Sequence, residues 1–510
     1  MSATAVTRTF TFTQRYVLEV SRTAPVGIGL DTAGTVTLTA LNSTTLTPTT
    51  ANANPRTSEV TPGSAVKLTA TPATGYMFSH WTGAPVGATV TGAVMTLTMP
   101  SADVSGVTAH FVSRNPFLTP AGQGNVFYGL IQPVNASDRG NASVGYLTGT
   151  LTGTTGAFTG KVLVGGLSQA FAATFFGNGS SLFSVGTTKV SALSFSGYSL
   201  TLSYSGGAVQ ALLEKGGVQS TGTAQRVIYT TANKVRGALL NTASTTGLYN
   251  VAVTSKAQTP AVALSTYPQG DGVGTVKLTE TGLVTFAGTL ADGTAYTASS
   301  GLVSGDEVPV FAQLLTPGAT SLKGGSLGGV LAFDETATDS DVTATDMVWI
   351  RPLVTELSGT TVNARATQLY TDGWPSGIVV DTVGVLYDKS VKVQVSLDLA
   401  TVAAGVKNAL LEFTEGKLSS LVSQDGLRIV DNVVAKVPAT NPAFTLAVVP
   451  TTGMFSGTFT PNWTSAATAK PAFRGVILQK GGSKGGYGYF ISNRTTDSDP
   501  ESGRVTLGKP

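Results

Sequence analysis

The chain has 510 residues, with 31 Lys and Arg against 28 Asp and Glu for a net charge of +3, and no cysteine. The missing thiols exclude disulfides, thiolate nucleophiles and Cys-based zinc or iron–sulfur centres, and the thinly spread charge excludes the basic footprint of a nucleic-acid binder. With only 12% charged residues, 61 glycines and no apolar run of the roughly 18 to 20 residues a spanning helix needs, the composition describes many short strands joined by tight turns in several domains.

In chain order, Val6 to Thr13 reads as the closing strand of a preceding unit, so residues 1–13 are expected to be the end of a repeat or a linker. Strands are predicted at Tyr16 to Val20 and Gly34 to Leu38, separated from Val66 by a long insert rich in Thr, Asn and Pro. Val66, Leu68 and Ala70 then alternate with polar residues, the period of a half-buried strand, and run into the turn Thr71-Pro72-Ala73-Thr74-Gly75. Tyr76, Phe78 and Trp81 supply bulky apolar groups for a small core. Met95, Leu97 and Met99 alternate with threonines, Pro100 stops that run, and Val107, Ala109 and Phe111 alternate again.

The run V-x-L-T-A-x-P-x-x-G-Y-x-F-x-x-W-T-G from Val66 to Gly83, with T-M-P-x-A-D-V-x-x-V-T-A-x-F from Thr98 to Phe111, resembles the divergent internalin B-type repeat. The resemblance covers about residues 14–112, departs from the compact repeat at the insert and at Ser105-Gly106, and implies a small β-rich module of a bacterial surface or secreted protein. An extracellular or cell-surface location is therefore expected, with the export signal outside this stretch and the chain a piece of something longer.

Beyond Ser113 one phrase recurs: Gly156-Ala157-Phe158-Thr159-Gly160, Gly282 with Phe286-Ala287-Gly288, and Gly453-Met454-Phe455-Ser456-Gly457. A turn glycine, an aromatic residue and a second glycine predict a tight hairpin with a ring packed across it. Their unequal spacing argues against a solenoid or propeller and for related hairpins inside larger β domains. Val308 to Leu315, Val330 to Phe333 and Met347 to Pro352 read as further strands, as do Phe473 to Lys480, Gly486 to Ile491 and Gly503 to Leu507. These phrases, over roughly residues 122–508, resemble an uncharacterised β module near the C-terminus of large secreted proteins of Gram-negative environmental bacteria. Leu397 to Val422 suits either helix or strand, and the β context favours strand. The predicted fold is all-β: a repeat at 14–112, a barrel or sandwich at 113–352, and a second β domain or the closing half of the same barrel at 353–510, divided after Pro352.

Candidate chemistry is sparse. The chain has two histidines, His80 and His110, and if they sit on neighbouring strands they could meet. A metal site usually takes three or four ligands, so a surface strand position is the expected role of each. A Ser-His-Asp triad would have to borrow one of them, and no G-x-S-x-G phrase accompanies either. Asp334, Glu335, Asp339, Asp341 and Asp346 form an acidic, turn-like cluster, as do Asp497, Asp499 and Glu501 before Gly503. Oxygen ligands at alternate positions fit calcium better than the paired carboxylates of a glycosidase, so Asp497, Asp499 and Glu501 are the candidate calcium ligands, against solvated loops.

The Gly-rich turns at Lys323 to Ser326 and Lys480 to Gly486 lack the order of a phosphate loop and read as hairpin turns. Trp374, with Tyr370 in the turn Tyr370-Thr371-Asp372-Gly373-Trp374-Pro375, and Trp463 are the candidate sugar-contacting rings, against loop plugs; Trp81 and Trp349 lie in strand-like runs and are expected in the core. The expected function is a non-catalytic structural or adhesive protein of a bacterial surface, self-associating through strand edges or meeting other surface components. The alternative is a glycan- or surface-binding module carried by a larger secreted enzyme or adhesin, with polysaccharide as partner. Calcium is the one cofactor considered.

Overall fold

The computed structural model describes residues 14–25, 30–41, 47–48, 53–113, 117–241, 245–315, 323–353, 369–463, 470–492 and 499–510. The expected strand Val6 to Thr13 lies outside them. The N-terminal unit is a pair of sheets sharing one core. Tyr16–Thr23 sits at the centre of a five-stranded sheet, antiparallel to Arg56–Val60 and parallel to Val104–Ser113, and Ala65–Pro72 is central in a four-stranded one. The alternation read in the sequence is the burial pattern: Val66, Leu68, Met95, Leu97, Val107, Ala109 and Phe111 all point into the space between the sheets, with Phe78 and Trp81. The insert supplies the additional strand Arg56–Val60, and the interruption at Ser105-Gly106 is a bulge, because Leu18 pairs with Val104 while Val20 pairs with Val107.

The rest of the chain forms three antiparallel, barrel-like sheets of ten, eight and eight strands. All three share one plan, a meander in which the first strand pairs with the last: Val126–Pro133 with Val218–Arg226, Thr246–Ser255 with Trp374–Leu386, and Ala409–Glu415 with Ser502–Gly508. In the second barrel Ala295–Gly301 and Glu307–Leu315 lie side by side and complete the ring. Inward positions are apolar and filled. Phe127, Phe158, Phe175 and Phe183 are fully buried in the first barrel, Tyr249, Phe286 and Trp349 in the second, and Phe413, Phe459, Phe473 and Phe490 in the third. Each such ring contributes about 1.5–3 kcal/mol by leaving water, so these interiors are packed cores.

The recurring phrase builds the same hairpin in each barrel: Gly145–Thr152 with Ala157–Val164, Asp271–Thr279 with Leu283–Thr289, and Phe444–Val449 with Met454–Phe459. The turn glycines Gly156, Gly282 and Gly453 take φ of 71°, 78° and 68°, which side chains resist. Phe158, Phe286 and Phe455 all point into their barrels. A Cβ on Gly160, Gly288 or Gly457 would stand 2.1, 2.2 or 1.9 Å from a carbonyl oxygen of the paired strand. The phrase therefore encodes close strand approach as well as the turn.

The expected break after Pro352 does not match a sheet boundary. Trp374–Leu386 pairs with Val342–Arg351 on one side and Thr246–Ser255 on the other, so the second barrel runs through that point. The ambiguous Leu397 to Val422 stretch contains the strand Ala409–Glu415, as the β context favoured. Among the described residues, no helix is long and apolar enough to cross a membrane.

Candidate functional site

The second and third barrels meet along their outer faces. Ala252, Val273, Ala291, Val385, Val476, Leu478 and Tyr489 form a small apolar base there. Around it the seam is polar. Asn250, wholly buried, donates from Nδ2 to the carbonyls of Thr452 at 2.9 Å and Ile477 at 3.1 Å. The Tyr387 hydroxyl donates to the Pro450 carbonyl at 2.6 Å, and the Ser502 amide donates to the Tyr370 hydroxyl at 2.8 Å. Lys480 reaches Asp341 at 2.6 Å and the carbonyls of Glu335 and Ser340, while the Gly482 amide donates to Asp339 at 2.6 Å. Asp271, only 2% exposed, faces Arg504 across the seam at 3.4 Å. Burial pushes its carboxyl up to about 6, with Arg504 opposing the shift.

Beside this base opens a groove of about 990 Å³. One wall comes from the hairpin Asp271–Thr279 and Leu283–Thr289, the other from the outward residues of four third-barrel strands. Strand alternation explains what faces the groove: where Phe455 and Phe473 point inward, Ser456 and Arg474 point out. Thr275, Thr289, Thr445 and Thr458 line it, with small residues such as Ala287 and Ala472 between them. Thr445 and Thr458 are bonded hydroxyl to hydroxyl at 3.0 Å. Arg474 is exposed, with its guanidinium 5.9 Å from the Tyr489 ring centre; burial pushes that tyrosine up to about 12.

A smaller cleft of about 430 Å³ lies between the first and second barrels. Tyr128, Tyr146 and Phe311 stack there at centroid spacings of 6.2 and 6.3 Å, and the Tyr146 hydroxyl donates to Ser300 at 2.7 Å.

The residues singled out from sequence are placed elsewhere. Trp374 is 6% and Tyr370 4% exposed, both in the second-barrel core, with Trp374 edge-on to Trp349 at 4.8 Å. Trp374 opens the strand Trp374–Leu386 with its ring tucked into the core, so the sugar-contacting role expected of this pair has little ring surface to act through. Trp463 is half-buried against the third-barrel core and donates from its indole to the Gly416 carbonyl at 3.2 Å. Trp81 and Trp349 are core, as expected.

Of the candidate calcium ligands, Asp497 lies outside the described residues. The Asp499 carbonyl accepts from Lys417, and the Glu501 amide donates to the Ser492 hydroxyl at 3.0 Å. The acidic cluster from Asp334 to Asp346 is divided among partners: Asp334 with Thr336, Glu335 with Arg236, Asp339 with Gly482, Asp341 with Lys480 and Asp346 with Lys256. Among the described residues no three His, Cys, Asp or Glu side chains group as a metal site.

His80 and His110 do meet. Their rings stack at 4.4 Å with planes 4° apart. Imidazole lone pairs lie in the ring plane, so parallel rings do not aim at one ion. His110 also spends both nitrogens on the hydroxyls of Thr23 and Thr82, at 2.8 and 2.9 Å. Burial and then the His80 charge hold its pKa below the ordinary value.

The groove and Arg474 escaped sequence reasoning. Alternation through Phe473-Arg474-Gly475 was enough to send Arg474 outward, yet nothing local indicates what it faces.

Comparison with known proteins fits this division. Residues 34–115 match the family of the divergent InlB B-repeat domain. In the structure that unit also takes in Tyr16–Thr23 as a central strand. No curated protein matches the chain. Among solved structures, isotype 1 transferrin binding protein B (TbpB) from serogroup B Neisseria meningitidis aligns over 94% of this chain and 84% of that one, at 9% identity and a TM-score of 0.16. So low a score carries no argument about shared fold.

Proposed function

We propose that this chain is a non-catalytic binding module of a bacterial surface, in which the InlB-type repeat is a surface unit and the fused second and third barrels hold a glycan. The observation that carries this reading is the open groove between those barrels, which combines hydroxyls, small flat residues and one guanidinium. Such a lining suits an extended polar chain held by many weak contacts. Among the described residues, its lining contains no carboxylate pair of the kind used to hydrolyse a glycosidic bond.

In the second barrel the end strands Ala295–Gly301 and Glu307–Leu315 lie side by side, which weighs against assembly through those edges. The open edges among the described residues include those of the repeat's two sheets, such as Gly34–Ala40 and Tyr76–Thr82. A glycan array probed with the full chain, followed by assay of the captured polysaccharide for new reducing ends, tests the reading. Saturable binding without cleavage is expected. Cleavage, or no binding to any glycan, overturns it.

A further inference from the structure

We infer that the groove takes an acidic saccharide, a chain of sugars carrying carboxylates, and that Arg474 is its anion contact. This inference rests on the glycan-binding reading above and names the ligand class.

The argument begins with register. Ser456 pairs with Arg474, Arg474 with Tyr489, and Tyr489 with Arg504, so these four residues form one row across the third barrel. The row holds two cations with different fates. Arg504 is turned to the buried Asp271 at 3.4 Å. Two further cations at or near the seam are matched by carboxylates, Arg351 by Asp292 at 2.8 Å and Lys480 by Asp341 at 2.6 Å. Arg474 faces the groove with no carboxylate partner among the described residues, held beside the Tyr489 ring. An aromatic neighbour restricts a guanidinium's orientation and leaves its fork of donors free, the geometry that accepts a carboxylate through two parallel hydrogen bonds.

The surroundings select the rest of the ligand. Thr275 and Thr289 stand on one wall and Ser456 and Thr458 on the other, over a floor to which Met454, Tyr489 and Ile491 add apolar surface. Hydroxyls on both sides suit a polyhydroxylated chain, and the volume of about 990 Å³ lies at the upper end of the roughly 300–1,000 Å³ of small-ligand pockets, which favours several sugar units over one. A single unmatched cation is a poor match to a phosphodiester backbone, whose binders neutralise many charges.

The test is calorimetric titration of the full chain with a uronate oligosaccharide and with a neutral oligosaccharide of equal length, each at low and high salt. The uronate chain is expected to bind about tenfold or more tightly, the usual return on charged hydrogen bonds, and to lose much of that advantage at high salt. Arg474→Gln should bring the two ligands level, and Arg474→Lys should recover only part of the difference. Thr458→Val should weaken both ligands together. Because Arg474 is exposed, its variants are expected to keep the parent's melting temperature, and circular dichroism checks this. Equal affinity for both oligosaccharides, with Arg474→Gln silent, overturns the acidic assignment and leaves the binding module standing. An acidic peptide that binds as well as the uronate chain overturns the saccharide class. Failure to bind any glycan removes both.

Discussion

Between the first and second barrels the centre of the contact is made by rings: Tyr128, Tyr146 and Phe311 stack, backed by Val144 and Ile350, with neutral hydrogen bonds such as Gln313 to the Leu167 carbonyl and a bond from Arg139 to the Ser376 carbonyl around it. Between the second and third it is made largely by buried polar groups, with Asn250 bridging two carbonyls, Asp271 facing Arg504, and Lys480 reaching into the 334–341 loop. Ring stacking depends on shape and area and is indifferent to pH. Hydrogen bonds are directional, so the second seam sets one orientation of its barrels, and that orientation keeps a groove open beside the apolar base. The same directionality brings a titrating group into the seam.

The contrast breaks first at the rings. Tyr146→Ala removes a buried ring from the stack and its bond to Ser300, and should cost about 3–5 kcal/mol, as for large-to-small core substitutions. Denaturant unfolding followed from about pH 5 to pH 8 should show that loss unchanged by pH. A loss confined to one end of the range would show that the first seam is also electrostatic.

Asp271 gives the next largest effect, with the opposite sign. Its folded pKa of about 6 stands above the ordinary 3.8, so the fold favours the protonated acid. The stabilisation is present in full below about pH 4 and is lost as pH rises through about 6. Asp271→Asn mimics the neutral form and should stabilise the chain by up to about 3 kcal/mol at neutral pH, at about 1.4 kcal/mol per pKa unit, with no gain near pH 4. Melting temperatures of the variant and the parent across that range check it; parallel curves would mean that Arg504 fully compensates the buried charge.

Asn250→Ala sharpens the comparison more gently. It leaves the carbonyls of Thr452 and Ile477 without their cross-seam donor, at a cost of about 1–3 kcal/mol. Hydrogen exchange should quicken at the Gly453 and Ile477 amides while the strands of the first barrel keep their protection. Uniform loss of protection would show that the seam is no separate unit.

How much of this was legible in the sequence follows from how local each feature is. The three hairpins were readable because turn glycine, inward ring and second glycine lie within a few residues of one another. The repeat was readable for the same reason, including the interruption at Ser105-Gly106, which only the pairing of Leu18 and Val20 shows to be a bulge. Whether residues beyond Pro352 start a new domain or close the same barrel was left open, because the strand that closes the second barrel, Trp374–Leu386, pairs with Thr246–Ser255 more than a hundred positions earlier. Trp374 was left between a sugar-contacting ring and a plug because a Gly/Pro turn looks the same whether its ring points out or tucks under; the deciding neighbours are Trp349 and Tyr370. The groove could not be read at all, since its walls come from separate barrels.

The smallest expected effect lies in the N-terminal repeat and runs against the second seam. His110 has its pKa held below the ordinary 6.5 by burial and by His80, so folding disfavours its protonation. Its contribution to stability is intact above about pH 6.5 and declines as pH falls below that value, where the unfolded chain takes up the proton first. The ring is partly exposed and water screens the two charges, so the loss is slight. Acidification from about pH 7 to pH 5 should therefore loosen the strands carrying His80 and His110 while it tightens the seam around Asp271. Exchange measured at both pH values in one sample reads the two responses together. His110→Gln, which keeps a group able to bond Thr23 or Thr82, should flatten the response of the repeat and leave that of the seam unaltered. If the repeat still loosens with acid in that variant, the proton is binding elsewhere, and the stacked pair is a packing feature of two neighbouring strands.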